Sequence, residues 1–290
     1  MKLFFFGAGY CSEFIAPLIP KNWTICGTHK KLPNRPIYKN HPYVKRYSFN
    51  FFLKNKRKLF GKTSHFLVSI PPDNKGDLII REIKDLLIGN KNLKWIGYFS
   101  TTGVYGDHGG RWVDENTKVN PSNERAKLRL VAEKQFLDLY DSYKLPIHIF
   151  RLPGIYGPKR SVFDRIKNGK TNFVKKENHF FSRIHVKDIA SCVFKSMKNP
   201  TPGEIFNITD DKPSPSQDVT KFAYKLMKMK LPEFIESDNI KLSGMAKSFY
   251  LDNKKLSNKK VKNALNWKPS FPEYKIGLKE IYQIGFNIKK

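Results

Sequence analysis

The chain predicts an α/β protein built on a parallel, doubly wound sheet. Apolar runs of strand length alternate with helical patterns through the first half, and the first run ends in a glycine-containing turn that leads into a helix. Short polar segments follow each candidate strand, on the edge where such sheets bind ligands.

The first run, residues 2–6, reads KLFFF and ends at Gly7-Ala8-Gly9-Tyr10-Cys11-Ser12 before an apolar helical segment that reaches residue 19. Between a strand and a helix, Gly7 permits a tight bend and Gly9 lets the backbone approach a pyrophosphate, while the helix's free amides face the phosphates. Ser12 stands where a third glycine is usual. Tyr10 and Cys11 complete the loop, with Cys11 read as a small filler rather than a reactive thiol. An ordinary glycine turn is the alternative. The opening LFFFGAGYC also imitates a short secretion signal. Its apolar part is too short for one, and Tyr10 occupies the place of the small residue that precedes cleavage, so the segment reads as a strand.

The second strand, residues 23–27, delivers Thr28-His29-Lys30-Lys31. A carboxylate at this point would accept hydrogen bonds from a ribose 2′-hydroxyl and repel a 2′-phosphate; a hydroxyl and cations favour the phosphate. Thr28, His29 and Lys30 therefore point to NADP, with NAD as the alternative and solvated lysines as the plain reading. Further strands are expected at 44–49, 65–70, 93–100 and 146–151, and helices at 76–89 and 122–142. Ligand contacts are expected beyond the strands, from Ser69 and Pro71, from Ser100 and Thr101, and from Pro153 and Gly154. A late amphipathic helix is expected at 216–230, and 254–262 reads as a solvated helix with a narrow apolar stripe.

At 290 residues the chain has room for one large domain or two small ones. A hydrophobic content of 40% argues against disorder, and no apolar run approaches the roughly 18 residues of a membrane span. Three cysteines, Cys11, Cys26 and Cys192, are too few for a disulfide framework or a zinc cage and fit a reducing cytoplasm. No His, Cys and carboxylate cluster suggests a metal. The net charge of +29 raises the question of nucleic acid. Its excess is spread along the chain and is mostly lysine, 43 Lys against 11 Arg, without a recognisable nucleic-acid module, so no specific nucleic-acid role is expected.

Four runs in order resemble the extended short-chain dehydrogenase/reductases of the NAD-dependent epimerase/dehydratase type. They are Ser100-Thr101-Thr102-Gly103-Val104-Tyr105-Gly106-Asp107, Arg151-Leu152-Pro153-Gly154-Ile155-Tyr156-Gly157-Pro158, Arg183-Ile184-His185-Val186-Lys187-Asp188, and Phe206-Asn207-Ile208-Thr209-Asp210. The resemblance implies a Rossmann domain over 1–160 and a mainly substrate-binding lobe over 161–290, with 183–208 returning to the sheet. It also implies a departure. Active members carry a Tyr with a Lys four residues later on the helix after the Val-Tyr-Gly motif. Counting back from Glu133, those positions hold Arg125 and Arg129. Tyr140 with Lys144, and Tyr224 with Lys228, match the spacing by chance, the first at the wrong end of its helix.

A guanidinium stays protonated and cannot shuttle a proton, but it can bind an anion. Arg125 is expected to face an anionic substrate and Arg129 a cofactor ribose or phosphate, with exposed helix charges as the equal alternative. Thr101 matches the family's catalytic hydroxyl position, and Tyr105 is a second candidate phenol. Asp107 and His108 lie in a polar, glycine-rich loop and form a weaker acid/base pair. His185 reads as structural. The expected function is an NAD(P)-binding, epimerase/dehydratase-like oxidoreductase transferring hydride to or from a carbonyl or alcohol of a small, anionic or sugar-nucleotide-like substrate. The expectation includes no membrane partner and leaves room for a homodimer. The alternative is a non-catalytic NADP-binding sensor or scaffold.

Overall fold

The computed structural model describes residues 1–30, 44–169, 173–236 and 252–285. Seven strands, β1 (Lys2–Phe6), β2 (Thr24–His29), β3 (Val44–Ser48), β4 (His65–Val68), β5 (Trp95–Thr101), β6 (Ile147–Leu152) and β7 (Ile205–Asn207), form one sheet. Their order is β7-β6-β5-β4-β1-β2-β3, and every neighbouring pair is parallel. The order reverses at β1, which opens a crevice beyond the carboxyl ends of β1 and β4.

A central parallel strand is covered on both faces, which is why β1 is a continuous apolar run rather than an alternating one. Leu3 and Phe5 enter one layer and Phe4 and Phe6 the other, all at 1% exposure or less. Burying each Phe contributes roughly 1.5–3 kcal/mol. The first layer holds α1 (Tyr10–Ile15), α7 (Val186–Lys198) and α9 (Lys259–Leu265), with Trp267 beside it. The second holds α2 (Phe49–Lys54), α3 (Lys56–Phe60), α4 (Leu78–Ile88) and α5 (Glu124–Tyr143). Asp77 caps α4 by accepting from Ile79 and Ile80, and Asn123 caps α5 through Ala126. These two helices lie close to their predicted limits.

Two expectations are corrected. The first helix starts at Tyr10 and gives way to a 3-10 turn over Ala16–Leu18, where Pro17 supplies no N–H to continue an α-helical ladder. The stretch 254–262 is not one helix: Lys255–Leu256 pairs in parallel with Trp112–Val113, and α9 begins only at Lys259.

The remaining elements form a smaller layer around Tyr156, Phe163, Val219, Tyr274 and Leu278. They comprise α6 (Val162–Lys167), α8 (Ser216–Met227), α10 (Tyr274–Gly285) and the pair Gly154–Tyr156 with Arg183–His185. None of the described helices is long and apolar enough to cross a membrane.

Candidate active site

The turn after β1 is shaped by its two glycines. Gly7 has φ +87°, and a Cβ there would lie 2.7 Å from the Ser69 hydroxyl, so no larger residue fits. Its N–H donates to Thr28 Oγ1 at 3.2 Å, its carbonyl accepts from Ser69 Oγ at 2.6 Å, and the Ala8 N–H donates to Thr28 O at 2.9 Å. Gly9 is the reverse case. It is exposed, and the nearest heavy atom to a Cβ built there is Gly7 O at 3.9 Å. That open backbone leaves room for a group of pyrophosphate size, and the turn fits one. Ser12 replaces the third glycine without obstructing the cradle, since it is buried with its hydroxyl donated to Gly9 O at 2.6 Å. Burial pushes the Cys11 thiol up to about 12, as expected of a filler.

Thr28 is corrected as a phosphate contact: it is 1% exposed, and its hydroxyl oxygen holds the glycine turn. His29 ends β2 with its ring nearly covered, and burial and then the charge of Arg46 depress its pKa. Arg46 lies on β3 opposite Gly27, a cation that inspection of β2 alone could not supply. Lys30 is exposed, and Lys31 lies outside the described residues.

Below the crest of β5 is a buried polar network. Arg151, on β6, grips Glu133 of α5 with Nη2 to Oε2 at 2.7 Å and Nε to Oε1 at 3.1 Å. Its Nη1 donates to the Tyr105 hydroxyl at 3.0 Å, which in turn donates to Asn207 Oδ1 at 2.9 Å. The Ser100 hydroxyl donates to Glu133 Oε1. Two candidates are thereby withdrawn. Ser100 is spent on Glu133 rather than a cofactor, and Tyr105 is 0% exposed, with burial pushing its phenol up to about 12, so it reaches no substrate. Glu133 on an otherwise apolar helix face was the available sign of this pair.

Thr101 stands at the carboxyl end of β5. With Ser100 and Thr102 buried, it is the hydroxyl of this crest that solvent reaches, and its oxygen accepts from the Gly103 N–H at 3.1 Å while its proton stays available. Arg125 is exposed in the first turn of α5. Arg129 is turned onto the sheet: Nη1 donates to Phe99 O at 2.6 Å and to the Tyr98 hydroxyl at 3.1 Å, with the Ile70 carbonyl at 3.5 Å, tying the ends of β4 and β5 together. Pro71 and Gly154 are exposed on the neighbouring crests and Pro153 is half-buried.

Asp107 is a turn residue that accepts from Asn253 N at 2.7 Å and Gly109 N at 3.2 Å, and His108 Nε2 faces Tyr105 O at 3.1 Å. Sequence reasoning missed the strap that organises them. The Asn253 carbonyl accepts from His108 N and Gly110 N, its side chain spans Asn178 O and Phe180 N, and Lys254 donates to Gly106 O at 2.7 Å. The decoy pairs are remote: Tyr140 packs against Gly203 with Lys144 over its ring, and Tyr224 packs in the smaller layer against Phe173. His185 is buried and caps α7 by accepting from Lys187 N, a structural role. Among the described residues no His, Cys and carboxylate group could hold a metal.

A parallel sheet reversing at β1, a glycine cradle in that crevice and a smaller layer beyond β6 define a Rossmann-like α/β fold. Residues 87–209 match the model of the NAD dependent epimerase/dehydratase family. It is 36% identical to a functionally unknown conserved protein from Silicibacter pomeroyi DSS, with 98% of each chain covered and a TM-score of 0.88. A dTDP-glucose 4,6-dehydratase from Bacillus anthracis, solved in complex with NAD, covers 99% of this chain and 98% of its own at 18% identity and TM-score 0.78, a likeness of fold. The dTDP-D-glucose 4,6-dehydratase of Dictyostelium discoideum is 27% identical over 151 residues, 46% of this chain and 35% of that protein. The match thus spans about a third of the length of that curated relative.

Proposed function

We propose that this protein is a pyridine-dinucleotide oxidoreductase of the epimerase/dehydratase type, with NADP preferred to NAD, acting on the carbonyl or alcohol of a small anionic or sugar-nucleotide-like substrate. The open cradle at Gly9 carries the reading, because the same turn closes at Gly7 against Ser69 and leaves room only on the crevice side. Gly9 would make room for the pyrophosphate at the Tyr10 and Cys11 amides that open α1, with Gly7 and Ser12 shaping the turn around it. His29, Lys30 and Arg46 would face the adenosine ribose, and none of them is a carboxylate that would repel a 2′-phosphate. The cofactor supplies or accepts the hydride. Thr101 would hydrogen-bond the substrate oxygen through its hydroxyl, Arg125 would attract the substrate's anionic group, and Arg129 would hold the crest beside them. Free Cys11, Cys26 and Cys192 fit a cytoplasmic setting.

A second reading, a dinucleotide-binding sensor or scaffold, is favoured by one observation. With Arg125 and Arg129 at the dyad positions and Tyr105 sealed beneath the crest, no phenol among these groups is left to move a proton. Calorimetric titration with NADP+ and NAD+ tests the common ground: saturable binding is expected, tighter for NADP+, and Gly9→Val should weaken it at least about tenfold by filling the cradle. No saturable heat with either nucleotide would sink both readings. NADPH oxidation over a carbonyl panel then separates them, with turnover that Thr101→Ala abolishes expected of the enzyme.

A further inference from the structure

Tyr10, the residue that follows Gly9, bridges two parts of the molecule. Its hydroxyl donates to Pro158 O at 3.0 Å, and Gly157 must be small because a Cβ there would lie 2.6 Å from that hydroxyl. The segment after β6 therefore closes directly onto the glycine turn. Gly157 and Arg160 exchange backbone hydrogen bonds at 3.1 and 3.0 Å, a tight turn that throws the Arg160 side chain back over Tyr10, its guanidinium carbon 5.5 Å from the ring centroid. The cation's charge is felt by both the Tyr10 phenol and the Cys11 thiol, the two residues beyond the cradle.

Arg160 forms no ion pair among the described residues. Asp164, the nearby acid of the next helix, is already engaged by the Ser161 amide and hydroxyl at 2.8 and 2.6 Å. An exposed guanidinium held on the face of Tyr10, the residue that follows the open Gly9, presents planar donors suited to phosphate oxygens. We infer that Arg160 is a ligand of the dinucleotide's pyrophosphate, delivered across the crevice by the segment after β6. This rests on the dinucleotide reading above. It adds that closure of the segment and cofactor binding share one contact, with Tyr10 as the platform.

The test compares the affinities of NADP+ and NAD+ for the wild-type protein, Arg160→Ala and Arg160→Lys by calorimetry, with melting temperatures as the control for folding. Loss of one charge-assisted contact should weaken both nucleotides equally, by about tenfold in Arg160→Ala, while Arg160→Lys, which keeps the charge but not the planar fork, falls between the two. The salt dependence of binding should also become shallower in Arg160→Ala. Wild-type binding that Arg160→Ala leaves unchanged would overturn the assignment. A loss confined to NADP+ would overturn it too, by moving Arg160 to the 2′-phosphate. If the wild-type protein binds neither nucleotide, the dinucleotide reading fails and takes this assignment with it, a result distinct from the other two.

Discussion

Glu133 lies on the face of α5 that carries Ala126, Ala132, Phe136 and Leu139 inward, and it is 1% exposed. A lone carboxylate there would be untenable. Arg151 answers it with two parallel donors and uses its third to hold Tyr105, so the pair fixes the height of the β5 crest from beneath. Desolvation opposes the pair and its own geometry repays much of that cost, which makes the intact pair worth little but its halves expensive. Glu133→Gln, which strands the guanidinium, should cost about 3–5 kcal/mol in the urea midpoint analysis. Glu133→Leu combined with Arg151→Met should recover most of it. A single variant as stable as the wild type would show that the charge is not confined. The same geometry explains why a tyrosine in a Val-Tyr-Gly motif serves here as a strut.

At the level of elements, β5 and β6 are cross-linked by His148, whose Nδ1 faces Ile96 O at 3.2 Å and whose Nε2 accepts from the Thr201 N–H at 2.8 Å. That arrangement needs a neutral ring with its proton on Nδ1, and burial holds the pKa down at about 4 against 6.5 when unfolded. Between those values the unfolded chain binds the extra proton, so stability is lost as pH falls from 6.5 towards 4. His65 and His185, also depressed to about 4 by burial, act in the same direction, while buried Asp77 and Asp188, raised to about 6, and Asp210 and Glu115, also raised by burial, oppose it because the folded state takes up their protons first. Measured against the wild type, His148→Gln should gain melting temperature as pH falls through that window; a difference that does not change with pH would remove His148 from the account. Elements stabilised locally were legible from residue order: the doubly buried β1, the capped α4 and α5, and the glycine turn. The pairing of Lys255–Leu256 with Trp112–Val113 was not, because its partner is distant in the chain and its residues are basic and turn-like. Nor could crest residues be sorted by motif, since Ser100 faces down only because Glu133, 33 residues away, waits there. Arg46 comes beside β2 through strand order and Arg160 over Tyr10 through a tight turn, neither of which spacing reveals.

The whole molecule carries a net charge of +29, and its long-range field acts on stability as well as on partners. Ion pairs neutralise only a part of it: Arg81 with Asp73, Lys187 with Glu280 and Lys262 with Asp211 lie at the surface, where solvent screens them and each contributes little. With 54 basic against 25 acidic residues, most cations have no acid to meet, and their mutual repulsion favours the expanded chain. Raising NaCl from about 20 to about 200 mM shortens the screening length from roughly 20 to under 10 Å, so it should weaken that repulsion more than it weakens the few close pairs. The melting temperature should therefore rise with salt. Over the same range any association with heparin or duplex DNA should fall away without sequence preference, as expected of phosphate contacts made by scattered lysines. A melting temperature that falls with salt would mean that the surface pairs, rather than the excess charge, dominate the balance. Binding to one DNA sequence that persists at the higher salt would require a nucleic-acid surface that the even spread of lysine does not provide.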